Sequence, residues 1–133
     1  MYNTNPYATY KNQDLDTNTN FELVGRLFGA AAICLKMAVM DIGEKKLDKA
    51  NNDMIKAQKI VINLKNSLDM KYEISASLNS LYDYMLRRLV EANVKKDITI
   101  LNEISGILIE LRDAWNEALK TYKMSQVHNA NVI

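Results

Sequence analysis

Proline occurs once in this chain, as Pro6, and glycine only at Gly25, Gly29, Gly43 and Gly106. So few breakers among 133 residues rich in Leu, Ile, Ala, Lys and Asn predict a nearly all-helical fold. Cysteine also occurs once, as Cys34, so no internal disulfide can form and a reducing, cytoplasmic setting fits. The one histidine, His128, lies near the C-terminus in a polar stretch. A di-metal bundle needs inward Glu and Glu-x-x-His residues, and a phosphotransfer bundle needs a histidine in mid-helix, so neither chemistry is expected. No Gly-rich phosphate loop, nucleophile elbow or paired-carboxylate pocket is visible, which leaves no cofactor and no catalytic activity to expect. An excess of charge of either sign is missing too. Seventeen basic side chains face sixteen acidic ones, a net charge of +1, which argues against a nucleic-acid binder. The start "MYNTNPYATYKNQ" has no basic segment followed by an apolar one and does not read as a signal peptide. The most apolar run, "LFGAAAICLKMAVM", is 14 residues long and carries Lys36, so no membrane insertion is expected.

What is present is helical periodicity. A chain of this length forms one domain with a sizeable core of its own. Residues 1–18 are dominated by Asn, Asp, Thr and Tyr and show no period, so they are expected to form an extended, flexible arm. Thr19 followed by Glu22 is a capping-box pattern that would open a first helix, which runs to about Ile42 and stops at Gly43. Its apolar residues cover most of the circumference, as in a helix surrounded by others. A second helix is expected over about 45–68 and a third over about 73–93, closed by Asn93 in the left-handed conformation. A fourth starts at the N-cap Asp97 and reaches about Leu119 or beyond. Connections of a few residues make neighbours antiparallel. The expected fold is all-α: an up-and-down four-helix bundle over 19–122, an N-terminal arm over 1–18, and a polar tail over 123–133 with room for a short fifth helix.

Each outer helix shows one buried stripe and then something more. In the second helix Ala50, Met54, Ala57, Val61, Leu64 and Leu68 complete a stripe at three- and four-residue spacing. Ile55 and Ile62 lie a heptad apart, roughly 130° from its centre at about 100° per residue. The third helix has the stripe Leu81, Met85, Leu89 and Ala92, with Leu86 and Val90 beside it. The fourth has Leu101, Ile104, Leu108, Leu111 and Trp115, with Ile98 and Ile109 beside them. A bundle core needs one stripe per outer helix, so the surplus means either a wider core or a groove awaiting a partner. Arg87 and Arg88 invite a phosphate clamp, but Asp83, Arg87 and Glu91 form an i, i+4 ladder that is expected to neutralise itself on a solvated face. Cys34, between Ile33 and Leu35, reads as an inert core thiol, and Trp115 as core packing.

Four stretches, in this order and spacing, carry a resemblance: "NPYATYKNQ", "ANNDMIKAQKIVINLKNSLD", "LYDYMLRRLVEANVKKD" and "LIELRDAW". Over residues 5–119 the chain resembles the flagellin-specific export chaperones of bacterial flagellar assembly. One departure is visible, since Phe28, Gly29 and Ala30 stand where that family typically has Tyr-Asp-Gly. The resemblance implies a cytoplasmic, non-enzymatic protein whose partner is the disordered C-terminal segment of flagellin, kept monomeric and export-ready. It further implies that the N-terminal segment occupies part of the client site when no client is bound.

On that implication, Ile55, Ile62, Leu86, Val90, Ile98 and Ile109 are the expected groove residues, and Tyr7 and Tyr10 the anchors of the N-terminal cap. The flagellar export gate and other assembly factors would be further partners. Two alternatives remain. One is a helical adaptor or regulator whose main partner is another assembly factor or an anti-sigma factor. The other is a homodimer in which the second apolar sides pair with each other.

Overall fold

The computed structural model describes the backbone over residues 6–132 and the side chains over residues 20–128. Four α-helices and no strand appear among the described residues: α1 (Pro6–Gly43), α2 (Leu47–Asn66), α3 (Glu73–Lys95) and α4 (Ile98–Val132). α1 packs on α2 and α4, and α3 packs on the same two, so the helices follow one another around a four-helix bundle. The short connections enforce antiparallel neighbours.

Both outer ends differ from the sequence expectation. α1 begins at Pro6 and not at Thr19. Proline suits a helix start because its φ is already helical and its missing N–H would have had no partner there. No further breaker follows until Gly25, so residues expected as an extended arm continue the helix. Residues 1–5 lie outside the described residues. At the other end α4 runs on to Val132, so the C-terminal segment extends the fourth helix and forms no separate fifth one. α1 and α4, at 38 and 35 residues, are therefore much longer than α2 and α3, at 20 and 23. They overrun the α2–α3 turn as a helix pair, joined there by Lys123 Nζ donating to Glu22 Oε1 at 2.6 Å.

The inner turns follow the sequence more closely. Asp97 caps α4 as expected, its Oδ1 accepting from the Thr99 N–H at 2.9 Å and the Ile100 N–H at 3.3 Å. The left-handed residue that ends α3 is Lys96 (φ 52°), not Asn93. Asn93 stays helical and donates through Nδ2 to Asn51 Oδ1 at 2.7 Å, tying α3 to α2.

The core is continuous. Phe28, Ala31, Leu35 and Ala38 of α1 meet Met54, Ala57, Val61 and Leu64 of α2, Tyr82, Met85, Leu89 and Ala92 of α3, and Leu101, Ile104 and Leu108 of α4. Removing a large side chain of this kind from water contributes about 1.5–3 kcal/mol. Tyr82, at 1 % exposure among the largest fully buried side chains, is pushed up to about 12 by burial of its phenol. The stretch Asn20–Gly43 of α1 is long and apolar enough by length and composition to cross a membrane, longer than the 14-residue run considered above. In the bundle one side of it is core.

Along the α1–α2 seam two carboxyls are buried, Asp41 at 5 % exposure and Asp53 at 4 %. Desolvation, and then the Asp41 carboxyl beside it, push Asp53 above the usual carboxylate range. Oδ2 of each has no hydrogen-bond partner, and the Lys49 ammonium stands 4.0 Å from Asp41 Oδ1. Burial also pushes the neighbouring Cys34 thiol up, in keeping with an inert thiol.

Candidate docking surfaces

Two cross-links fix the register of α2 against α3: the Asn51–Asn93 pair toward one end and the Lys65–Asp83 ion pair toward the other. In that antiparallel register Ile55 stands level with Val90, and Ile62 level with Leu86. All four lie on the flank of the seam away from the core, because at about 100° per residue Ile55 and Ile62 fall roughly 20–80° beyond Asn51 and Lys65, and Leu86 and Val90 fall between Asn93 and Asp83. Ile62 is 44 % and Val90 56 % exposed, while Ile55 and Leu86 are half-buried, Leu86 against the core. Four of the six expected groove residues thus come together as an apolar furrow.

Ile98 and Ile109 are elsewhere. They share a face of α4 with Arg112 and Asn116, which meet α1 at Gly29 and Gly25. This α1–α4 seam is on the opposite side of the bundle from the α2–α3 seam. A Cβ at Gly25 would stand 2.7 Å from Asn116 Oδ1, and one at Gly29 would stand 3.3 Å from Arg112 Cδ, so the two glycines let the helices approach closely. The same register sets the exposed Ile33 level with the half-buried Ile109, and the exposed Met40 level with Ile98. Met37, further round, is exposed as well. A second apolar furrow results, and sequence reading missed its α1 half. A helix that is apolar all round was read as enclosed; in the bundle only two sides of α1 are covered, and Ile33, Met37 and Met40 face outward.

The departure from the Tyr-Asp-Gly pattern has a local meaning here. Phe28 is fully buried, edge-on to Trp115 with ring centroids 5.7 Å apart. Gly29 faces the Arg112 side chain, where an acidic residue would meet a guanidinium; Arg112 instead donates to the adjacent Asp113 at 3.0–3.1 Å.

A cavity of about 620 Å³ opens in the step where α1 and α4 overrun the α2–α3 turn. Phe21, Val24 and Trp115 line it from the long helices, and Leu68, Tyr72 and Ile74 from the turn side. Trp115 stacks on Phe21 at 4.7 Å, and its Nε1–H donates to the Phe21 carbonyl at 2.8 Å. It is half-buried, a cavity wall as well as core packing. The side chains of Tyr7 and Tyr10 lie outside the described residues.

The expected Asp83–Arg87–Glu91 ladder does not form. Lys65 takes Asp83, while Arg88 and Lys95 take Glu91 at 2.6 and 3.0 Å. Arg88 also reaches Glu103 of α4 at 3.4 Å, beside the Tyr84 hydroxyl, which donates to the same carboxylate at 2.6 Å. Arg88 is thereby an α3–α4 cross-link, while Arg87 rests over the Tyr84 ring at 6.0 Å. Among the described residues no group of His, Cys, Asp and Glu could hold a metal ion.

Known proteins resemble this chain over most of its length. The sequence model of the family described as "Flagellar protein FliS" matches residues 3–122. The flagellar secretion chaperone FliS of Bacillus subtilis is 37 % identical over 117 residues, 88 % of this chain and 88 % of that protein. That of Salmonella typhimurium is 33 % identical over 99 residues, covering 72 % of this chain and 73 % of the relative. That of Escherichia coli is 32 % identical over 108 residues, or 79 % of each. No catalytic family is indicated. By the extent of these matches and by its helical bundle, the chain belongs to the FliS family of flagellar secretion chaperones.

Proposed function

We propose that this protein is a cytosolic export chaperone that binds the C-terminal segment of flagellin, keeps it from polymerising and holds it ready for secretion. It acts by binding and not by catalysis. The observation that carries the reading is the pair of apolar furrows on opposite sides of the bundle, at Ile55, Ile62, Leu86 and Val90 and at Ile33, Met40, Ile98 and Ile109. A disordered segment that folds into several amphipathic helices can wrap such a bundle and bury both furrows, while ordering entropy opposes the gain. Methionine at the second furrow suits the role, since an unbranched thioether adapts to imperfect shapes.

In this reading residues 1–18, which from Pro6 on continue α1, leave that helical form to serve as a cap, with Tyr7 and Tyr10 lying on apolar surface until a client displaces them. The cavity beside Phe21 and Trp115 is next to this segment in the chain and is open to receive an aromatic side chain. The export gate is a further partner of the loaded complex.

Calorimetric titration with a peptide spanning the last ~40–50 residues of the cognate flagellin tests the reading, a length of several helices at about 1.5 Å per residue. Tight binding, a large negative heat-capacity change and a gain in peptide helicity are expected. Absence of binding to a folded bundle at high micromolar peptide would sink it and favour an adaptor whose partner is another assembly factor.

A further inference from the structure

The α2–α3 furrow is apolar along its floor but not neutral at its lips. Between the Ile55–Val90 and Ile62–Leu86 levels stand Lys59 on α2 and Arg87 on α3, level with each other across the furrow. Lys59 follows Ile55 by four residues and precedes Ile62 by three; Arg87 precedes Val90 by three. Helical spacing sets Lys59 roughly 40–60° further out than Ile55 and Ile62, and Arg87 roughly 60° further out than Val90 and roughly 100° further out than Leu86. Both are exposed.

Neither meets a carboxylate among the described residues. The acidic groups nearby are committed: Asp83 to Lys65, Glu91 to Arg88 and Lys95, and Glu103 to Arg88 and the Tyr84 hydroxyl. Arg87 has only the Tyr84 ring. In a chain whose net charge is +1, two cations without a carboxylate partner therefore flank one strip of exposed apolar surface, Arg87 from its place over the Tyr84 ring.

We infer that this furrow takes one amphipathic helix bearing carboxylates on both flanks of its apolar stripe, which meet Lys59 and Arg87. The inference rests on the client-binding reading above and gives the client helix its chemistry. The cross-links at Asn51–Asn93 and Lys65–Asp83 bound the furrow to some 14 residues of α2, or about 21 Å, enough for about four turns of the incoming helix. The apolar floor supplies the attraction, and the two cations set which helix is accepted and in which rotation about its axis.

The test uses two synthetic helical peptides of ~18 residues with the same leucine stripe at i, i+4, i+7 and i+11. One carries glutamate at the positions flanking the stripe, the other lysine. At low salt the full-length protein should bind the glutamate peptide about tenfold more tightly, as two exposed ion pairs allow, and the difference should shrink as salt rises. The double variant K59E/R87E should reverse the preference, and Ile62→Asp should weaken both peptides. Equal affinities, a preference unmoved by K59E/R87E, binding indifferent to Ile62→Asp, or no binding of either peptide would each overturn the inference. Flagellin titration reads the other question separately. Failure there, with the glutamate peptide still bound, removes the flagellin reading and leaves the furrow chemistry standing.

Discussion

Replacing Asp53 by asparagine should stabilise the bundle at neutral pH and remove part of its pH dependence. In the unfolded chain this carboxyl titrates near its ordinary value of 3.8. In the bundle it is 4 % exposed, and burial and then the Asp41 carboxyl raise its pKa. Between the two values the folded chain holds a proton that the unfolded chain has lost. The stabilisation is therefore complete below the unfolded value and disappears as pH rises through the folded one, with a slope of at most about 1.4 kcal/mol per pH unit for one proton. Above that range two charges share a dry seam with one ammonium 4.0 Å away. An asparagine side chain would carry no charge, and its amide could donate to the unpartnered Asp41 Oδ2. Relief of a buried, unsatisfied polar group is worth about 1–3 kcal/mol. Glu91, held below the usual carboxylate range by Lys95 first and also by Arg88, and Glu22, held low by Lys123, respond to pH in the opposite direction. They are present in both proteins and cancel in the difference. Urea unfolding of the two proteins from about pH 3.5 to pH 8, followed by circular dichroism, would show the asparagine variant gaining on the parent as pH rises through the window that opens at the unfolded value. A difference that stays flat, or grows toward acid, would refute the buried-pair account.

Gly106→Ala should stabilise α4 by about 0.5–1 kcal/mol, since a Cβ there meets nothing within 4 Å and the helix gains intrinsic propensity; a fall in thermal midpoint would show an unseen clash. Deleting residues 1–16 should leave the helical circular dichroism of the bundle in place while raising affinity for the flagellin segment, because no cap then competes for the site. Trp115, the only tryptophan and a wall of the cavity, reports the same experiment by fluorescence. Unchanged affinity with full helicity would count against the cap.

Much of the fold was legible because α2 and α3 obey simple rules. Every residue of the α2 stripe from Ala50 to Leu64 is buried, and both helices end within two residues of the positions read from their breakers and caps. The α3 stripe was misplaced by one residue at its start. Tyr82, absent from the expected stripe, is core, and Leu81 is only half-buried, so Leu86 lies closer to the core than its spacing from Leu81 implied. A phenol gives no sequence signal of whether it is buried. The start of α1 was missed, and the end of α4 was left open beyond Leu119, because polar, aperiodic residues form a helix as readily as an arm when no breaker intervenes. The position of the α2–α3 set Ile55, Ile62, Leu86 and Val90 beside the core stripes followed from periodicity. Its separation from Ile98 and Ile109 did not, since which flank of α4 faces α1 is a tertiary fact carried by Gly25 and Gly29.

The pairing of α1 with α4 has a consequence during synthesis. Phe21 meets Trp115 and Glu22 meets Lys123 across 94 and 101 residues of chain, so the first helix made waits for the last. At ~5–20 residues per second the ribosome needs roughly 5–20 s to cover that interval. Throughout it Phe28 and Leu35 have at most the α2–α3 hairpin to shelter them. Until its final helix emerges, the nascent chain is itself an apolar helix without a partner, open to association with its neighbours on the same message. A nonsense mutation within α4 should therefore yield aggregating product and not a smaller working bundle.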